Sequence, residues 1–212
     1  MASGQHDGHL GAVYQASAPE EVAAIYDAWA DSYDAEMARA GYRHPSVGLA
    51  LLSRHAPRGT GPVLDAGCGT GLLGDWLDIL GFAPAEGLDL SEGMLAVARA
   101  KGPYAALHRL ALGRDLPFAD GYFAAVISTG VFTTGHVGAE ALPELIRITA
   151  PGGVIVLTVK TSLWDGGFAD ALGRLPGLRI VEQTAPYVSM PGETGTVPSL
   201  AVVLRREGQP NL

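Results

Sequence analysis

Three glycines stand close together in the first half of the chain, where a short apolar run meets a segment that favours a helix. The apolar run is Val63–Ala66, the loop contains Gly67, Gly69 and Gly71, and helix-compatible residues follow from Leu72. Glycine loops between a strand and a helix bind anions or nucleotides, because the backbone can approach the ligand closely. The spacing therefore predicts a nucleotide-type site at this turn.

Two carboxylates beside the loop limit which kinds of ligand could bind there. Residues 69–74 match the dinucleotide fingerprint G-x-G-x-x-G, and Asp89 follows Gly69 by 20 residues. Asp65, just before the first glycine, would repel a pyrophosphate but attract a ligand that carries an α-ammonium and a sulfonium. S-adenosylmethionine carries both cations and no phosphate, and Asp89 would accept hydrogen bonds from its ribose hydroxyls. Asp65 therefore favours S-adenosylmethionine, with S-adenosyl-L-homocysteine as its demethylated product.

Two other functions stay open beside a methyltransferase. The first is an NAD(P)-dependent Rossmann oxidoreductase, which Asp65 disfavours and for which the chain lacks a Tyr-x-x-x-Lys hydride-site motif. The second is a non-methylating protein of the same fold that binds S-adenosylmethionine. Calorimetry with S-adenosylmethionine and NAD distinguishes an oxidoreductase from a methyltransferase. A screen of methyl acceptors distinguishes a non-methylating binding protein from a methyltransferase.

Strands alternate with helices from residue 59 to residue 212, which predicts a parallel α/β sheet. The predicted strands are Val63–Ala66, Phe82–Leu90, Tyr104–Leu110, Phe123–Ser128, Val154–Lys160, Leu178–Val188 and Ser199–Arg206. The predicted helices are Leu72–Leu80, Gly93–Lys101, Ala139–Thr149 and Phe168–Leu175. Because no clear helix separates the last two strands, they predict an antiparallel hairpin at the C-terminal edge. The expected core is a Rossmann-like, doubly wound, mostly parallel seven-stranded sheet.

The residues before this core predict a helical cover. Residues 1–18 have the composition of a flexible arm, and Pro19 with the following acidic pair opens a helix well. An apolar and aromatic stripe follows at Tyr26, Trp29, Tyr33 and Met37, and a second helix begins at His44. We expect residues 19–58 to form an N-terminal helical lid, in one domain with the core, that closes over the cleft and excludes water. The alternative is a permanently docked structural helix.

Composition excludes several other classes of protein. The 212 residues contain 14 basic and 22 acidic side chains, a net charge of −8, which disfavours nucleic acid as a partner. The single cysteine cannot supply a Cys-rich zinc site, so we expect no metal. It fits a reducing compartment. With no signal-peptide core and no apolar run of membrane-spanning length, we expect a cytoplasmic protein without a membrane segment.

Four motifs resemble class I S-adenosylmethionine-dependent methyltransferases, in the order of that family. They are V-L-D-A-G-C-G-T-G at residues 63–71, G-L-D-L-S-E-G-M-L at 87–95, L-P-F-A-D-G-Y-F at 116–123 and R-I-T-A-P-G-G at 147–153. The flanking segments at 26–34, 41–45 and 129–137 are similar to the methyltransferase-like family named for the Williams–Beuren syndrome chromosome region. This resemblance implies methyl transfer from S-adenosylmethionine by in-line displacement. It does not identify the methyl acceptor, which we expect to be a small molecule.

The resemblance also implies a set of cofactor contacts. Many relatives place an acidic residue near the adenine amino group, where this chain has Leu112. Adenine recognition is then expected from the backbone of Leu112 and Gly113 and from the apolar side chains of Leu90 and Met94. The remaining expected contacts come from the lid and from the loop after the fourth strand: Tyr33, Tyr42 and Thr129.

Two histidines are the candidates for a catalytic base. His136 follows the fourth strand, whose carboxyl end faces the ligand cleft in a doubly wound sheet. His44 begins the second helix of the lid. A base is needed only when the methyl acceptor arrives protonated. Cys68, inside the glycine loop, is interpreted as a small packing residue because no base accompanies it.

Overall fold

A computed structural model of the chain describes residues 9–16, 18–59, 61–133 and 137–208. Seven strands form one sheet: β1 Val63–Ala66, β2 Ala85–Asp89, β3 Ala106–Arg109, β4 Phe123–Phe132, β5 Thr149–Lys160, β6 Leu178–Gln183 and β7 Ser199–Arg206. The helices are α1 His9–Gln15, α2 Pro19–Ala40, α3 His44–His55, α4 Gly74–Ile79, α5 Glu92–Lys101, α6 Leu142–Ile148, α7 Thr161–Leu163 and α8 Ala169–Gly173. A 3-10 turn, Ala139–Ala141, precedes α6, and an irregular helical turn, Trp164–Phe168, joins α7 to α8.

The strand order is β3-β2-β1-β4-β5-β7-β6. Strands β1 to β5 pair in parallel, whereas β7 runs antiparallel to both β5 and β6. The order reverses direction at β1, and ligands of doubly wound sheets bind at such a switch point, beyond the carboxyl ends of the strands. The sequence prediction of a mostly parallel seven-stranded sheet with an antiparallel C-terminal edge is confirmed.

Apolar side chains on both faces of β4 and β5 explain why these strands lie in the middle of the sheet. Phe123, Val126 and Ile155 pack on one face, and Ile127 and Val156 pack on the other, all of them buried. A parallel strand covered by helices on both sides is expected to be apolar throughout. The central strands therefore hold the carboxyl ends of β1 and β4 in a fixed arrangement.

Local sequence signals set the boundaries of the N-terminal helices. Proline begins α2, Glu20 and Glu21 lie in its first turn, and Gly41 ends it with a φ of 67° in the left-handed region. Residues 1–18 were expected to be a flexible arm, but His9–Gln15 forms α1. The reason is burial, because Val13 packs into a cluster with Trp29. Residues 1–8 and 17 lie outside the described residues.

Several strands and one helix begin or end at residues other than those predicted. For the strands, the reason is that hydrogen-bonded pairing with the neighbouring strand extends further or stops earlier than expected. Strand β4 continues to Phe132 across an irregularity after Ser128, and β5 begins at Thr149, earlier than predicted. Strand β6 ends at Gln183, not at Val188. Strand β2 is three residues shorter at its start than predicted, and the predicted helix 168–175 is the short α8.

Arg147 links two of the four motifs. Its guanidinium donates to the Glu144 carboxylate at 2.7 Å and to the carbonyl oxygens of Leu116 and Phe118 at 2.8 Å. It also pairs with Asp120 at 2.7 Å. The motif at 116–123 and the motif at 147–153 therefore form one structural unit at the end of the sheet opposite the ligand cleft.

Among the described residues, no helix is both long enough and apolar enough to cross a membrane. Within the same ranges, no group of three or more histidine, cysteine or acidic side chains is arranged to hold a metal ion.

Candidate functional site

A cavity of about 310 Å³ lies beyond the carboxyl ends of β1, β2 and β4, beneath α2. We call it the main cavity. Its described lining is Ala18, Glu20, Val22, Ala23, Tyr26, Tyr33, Tyr42, Gly67, Gly69, Leu88, Asp89, Leu90, Ser91, Met94, Leu110, Ala111, Leu112, Arg114, Thr129, Gly130, Val131 and Val137. The lining combines one buried edge of polar groups with an apolar wall, which is typical of nucleoside sites.

The glycine loop turns around the end of β1 with positive φ angles of 82° at Gly67, 53° at Gly69 and 81° at Gly71. Gly67 and Gly69 line the main cavity, whereas Gly71 faces Tyr104 and Ala98. A Cβ atom at Gly69 would meet nothing within 4 Å, so this glycine borders open space. That space is what a close-lying ligand requires, and a side chain there would fill it.

Asp89 presents its carboxylate to the main cavity from the end of β2. Oδ2 accepts a hydrogen bond from the Gly69 amide at 2.8 Å, and Oδ1 accepts from the Ser91 amide at 2.9 Å. Burial raises the pKa of Asp89, and these backbone donors oppose that rise. Each oxygen keeps a further lone pair, so the carboxylate can accept from two vicinal hydroxyls.

Asp65 does not line the main cavity. It is buried behind the glycine loop, where the Tyr104 hydroxyl donates to Oδ2 at 2.6 Å. Its Oδ1 has no hydrogen-bond partner among the described residues, and burial raises the pKa of Asp65 to about 7. Asp65 is thus absent from the described cavity lining, and its contact with a cationic ligand stays a prediction.

One part of the main cavity lining is apolar. Leu90, Met94 and Leu112 form it, and Leu110 joins them. Gly113 does not reach the cavity; its backbone is left-handed, at a φ of 82°, and a Cβ there would approach Glu140. The described lining of the main cavity contains two acidic residues, Glu20 and Asp89, and Leu112 lies where many relatives have an acidic residue.

Two carboxylates of α2 hold this helix against the core, and sequence reasoning missed both. Asp27 Oδ1 accepts from the Ser91 hydroxyl at 2.5 Å and from the Gly93 amide at 2.8 Å, which lowers the pKa of Asp27. Asp34 accepts from the Thr70 hydroxyl at 2.5 Å and pairs with Lys101 at 2.5 Å. The signal was their spacing of seven residues, which places both on one face of a helix.

Tyrosines from the helical segment before the core border the main cavity. Tyr33 and Tyr42 line the main cavity, as Thr129 does on β4. Burial, the charge of Asp89 and a hydrogen bond with Tyr42 raise the pKa of Tyr33. The Tyr42 hydroxyl lies against Gly130, where an added Cβ would come within 1.9 Å of it. Cys68 is buried, and burial raises the pKa of its thiol, in agreement with a packing role.

A smaller cavity of about 30 Å³ adjoins the carboxyl ends of β4 and β5. We call it the side cavity. Its described lining is Tyr26, Trp29, Tyr33, Met37, Tyr42, His44, Gly130, Thr133, Lys160, Ser189 and Met190. Tyr26, Tyr33, Tyr42 and Gly130 line both cavities and form the wall between them.

The two candidate bases have different outcomes. His44 lies in the side cavity and not in the main one, with Nδ1 2.7 Å from the Tyr187 hydroxyl and Nε2 3.5 Å from Ser199 Oγ. Burial lowers the pKa of His44 to about 3, so the imidazole is neutral and a weak base. His136 lies outside the described residues.

Comparison with known proteins identifies the family. Residues 64–157 match the family described as a methyltransferase domain. The chain is 39% identical to methyltransferase-like protein 27 of Homo sapiens, over 70% of this chain and 61% of the relative. It is 32% identical to a malonyl-[acyl-carrier protein] O-methyltransferase of Serratia marcescens, over 81% of this chain and 65% of that protein. The chain thus spans less than two thirds of the length of either relative.

A solved structure shows the same fold. The TehB-like SAM-dependent methyltransferase from Corynebacterium glutamicum aligns with a TM-score of 0.63 at 23% identity, over 87% of this chain and 99% of that chain. The similarity to the human protein confirms the narrower resemblance to the Williams–Beuren region family. These findings do not favour a nicotinamide oxidoreductase. Residues 64–157 therefore form a domain of the methyltransferase family, and the resemblance to class I S-adenosylmethionine-dependent methyltransferases is confirmed.

Proposed function

We propose that this protein transfers a methyl group from S-adenosylmethionine to a small-molecule acceptor. The observation that carries the proposal is the Asp89 carboxylate, held by two backbone amides at the wall of the main cavity beside the open face of Gly69. A carboxylate in this place suits ribose hydroxyls, and it disfavours a phosphate.

The lining residues divide into three parts that match the three parts of the cofactor. Asp89 would hold the ribose, and Leu90, Met94 and Leu112 would contact the adenine. Gly67 and Gly69 would face the amino-acid tail. Bound S-adenosylmethionine supplies an electrophilic methyl group, which passes to the acceptor while sulfur keeps the bonding electron pair. The protein's contribution is then orientation and exclusion of water.

A small acceptor is supported by how α2 covers the cleft. Tyr26, Tyr33 and Tyr42 lie between the main cavity and the side cavity, and the side cavity has space for only a small group. We propose that residues 19–58 act as the lid over both cavities. The aromatic rings would border the sulfonium, which favours cation–π contact.

The acceptor is proposed to arrive already able to react, without a base from His44. A histidine with a pKa of about 3 and with Tyr187 and Ser199 at its two nitrogens takes up a proton poorly at neutral pH. A catalytic role for His136 stays a prediction. An acceptor with an ionised oxygen needs neither histidine.

The test has two arms. Titration calorimetry should show binding of S-adenosylmethionine and S-adenosyl-L-homocysteine and none of NAD. A screen of small acids, amines and phenols with methyl-labelled S-adenosylmethionine should then yield a methylated product. Binding of NAD alone would contradict the proposal at the cofactor. Tight cofactor binding with no product from any class would favour the non-methylating protein of the same fold.

A further inference from the structure

Lys160 is a buried cation that the proposed cofactor site does not use. It is the last residue of β5, its side chain lines the side cavity, and it is 5% exposed. Nζ donates to the Val197 carbonyl at 2.9 Å and to the Ser189 hydroxyl at 3.4 Å. An ammonium group has three donors, so one N–H remains for a group inside the cavity.

No negative charge compensates this cation in the part of the chain that the structure describes. No carboxylate there lies within 4.0 Å of Nζ, whereas Lys101, the other lysine of the chain, pairs with Asp34 at 2.5 Å. The described lining of the side cavity contains histidine, tyrosine, serine and threonine but no acidic residue. Burying a charge without a partner is costly. Accordingly, burial lowers the pKa of Lys160 to about 8.

The size of the side cavity limits what can supply the missing charge. A volume of about 30 Å³ admits a group the size of a carboxylate. Phosphate sites use several cations or a set of backbone amides, and Lys160 is the single cation among the described lining residues. The cavity also shares Tyr33, Tyr42 and Gly130 with the main cavity, so a group bound there would lie beside the cofactor.

We propose that Lys160 binds a carboxylate of the methyl acceptor, which makes the substrate an organic acid. This inference rests on the proposed function. The ammonium would neutralise the acid on binding, and the neutral His44 and Tyr42 beside it add no competing charge.

The chain's two lysines make a direct measurement possible. Protein labelled with ¹³C-lysine should give two ε-carbon signals, and K101R assigns them by removing one. The pH titration of the Lys160 signal is then recorded with and without hexanoate or benzoate, in the free protein and with S-adenosyl-L-homocysteine. A bound carboxylate should raise the pKa of Lys160 from about 8 toward that of an ordinary lysine.

Calorimetry supplies the second readout with matched ligands. Each acid is compared with its primary amide, and at least one acid should bind about ten-fold more tightly, as expected for a hydrogen bond to a charged group. K160M should abolish that preference and leave the affinity for S-adenosyl-L-homocysteine unchanged. R179M removes an exposed positive charge that lies outside the described lining of both cavities and serves as the control.

The outcomes separate this inference from the proposed function. If S-adenosyl-L-homocysteine binds but no acid is preferred over its amide and Lys160 keeps its pKa, the inference is wrong and the proposed function stands. If K160M still binds an acid more tightly than its amide, the inference that Lys160 binds the carboxylate is also wrong. If S-adenosyl-L-homocysteine fails to bind, the proposed function fails, while the titration of the free protein still tests the carboxylate site.

Discussion

The main cavity and the side cavity share a wall of tyrosines but are built in different ways. In the main cavity, Asp89 receives its hydrogen bonds from the backbone of Gly69 and Ser91, within two short stretches of sequence. In the side cavity, Lys160 and His44 meet groups from the segment between β6 and β7, more than 25 residues away along the chain. Local backbone geometry fixes the first site, and long-range packing fixes the second.

This difference suggests a division of roles. A site held by turns and amides tolerates little change, because glycine φ angles and backbone donors leave no substitute. A site held by side chains from distant segments can change its chemistry one residue at a time. The cofactor is common to the whole family, and we infer that the side cavity is where the methyl acceptor is selected.

The largest effect is expected from Gly69→Val, which tests the main cavity. A branched side chain would occupy the open space beside the loop, so S-adenosylmethionine binding should be lost. Gly102→Val is the matched control, because Gly102 also has a positive φ, at 76°, with nothing within 4 Å of an added Cβ, yet lies outside the cavity lining. Circular dichroism should show that both variants are folded. Calorimetry should show loss of S-adenosylmethionine binding in Gly69→Val alone. Equal binding by the two would contradict this description of the loop.

Asp89→Ala should have the next largest effect. Two ribose hydroxyls would lose a charged acceptor worth about 1.5–3 kcal/mol, which corresponds to about ten-fold or more in the dissociation constant. Asp78→Ala, an exposed carboxylate on α4, controls for the change in net charge. An unchanged affinity in the Asp89 variant would remove this residue from the site.

A smaller effect is expected at α2, which joins the two cavities. If residues 19–58 are a lid, hydrogen exchange over residues 20–45 should slow when S-adenosylmethionine binds. Asp34→Ala removes the contacts to Thr70 and Lys101 and should speed exchange there in the free protein. Strand β5 serves as the internal reference, since its exchange should stay constant. Identical protection of α2 with and without ligand would leave only the docked structural helix.

The smallest effect concerns pH and the side cavity. Burial lowers the pKa of His44 to about 3 from an ordinary value of 6.5. Between about pH 3 and pH 6.5, the imidazole is therefore protonated in the unfolded chain and neutral in the folded protein. His44 therefore contributes stability above pH 6.5 that is lost as the pH falls. Asp65, whose pKa is raised to about 7, acts in the opposite sense, because its proton stabilises the folded state below that pH.

Comparing variants isolates the histidine from Asp65. His44→Gln keeps a neutral polar side chain, and its melting temperature should fall less than that of the wild type between pH 7 and pH 5. Thermal unfolding at the two pH values measures the difference. An equal fall in both proteins would mean that His44 is not buried as a neutral base.

The contrast between the cavities also explains what sequence could predict. The mostly parallel sheet with its antiparallel edge, the glycine loop, Asp89 and the apolar residues Leu90 and Met94 follow from contiguous motifs in which each residue specifies its own turn or strand. The motif could not fix the direction of the Asp65 side chain, because a strand-end position does not reveal whether a side chain faces the cavity or Tyr104. Gly113 and Gly71 were likewise assigned by motif, and only their neighbours show that they pack elsewhere.

The side cavity could not be predicted from contiguous sequence motifs. Lys160 appeared only as the end of a predicted strand, and its partners at Ser189 and Val197 lie in a segment for which no regular pattern predicts a position. His44 was expected in the lid, but its hydroxyl neighbours, Tyr187 and Ser199, depend on the path of the chain between β6 and β7. A signal was available in composition, since a chain with two lysines ends a buried strand with one of them.

A crystal structure with S-adenosyl-L-homocysteine tests the central claim most directly. Both ribose hydroxyls are expected within about 2.7–3.2 Å of the Asp89 carboxylate. The adenine should lie against Leu90 and Leu112, and the sulfur should face the tyrosines that separate the two cavities. A ligand bound with its ribose away from Asp89, or with its sulfur turned from Tyr33 and Tyr42, would contradict it.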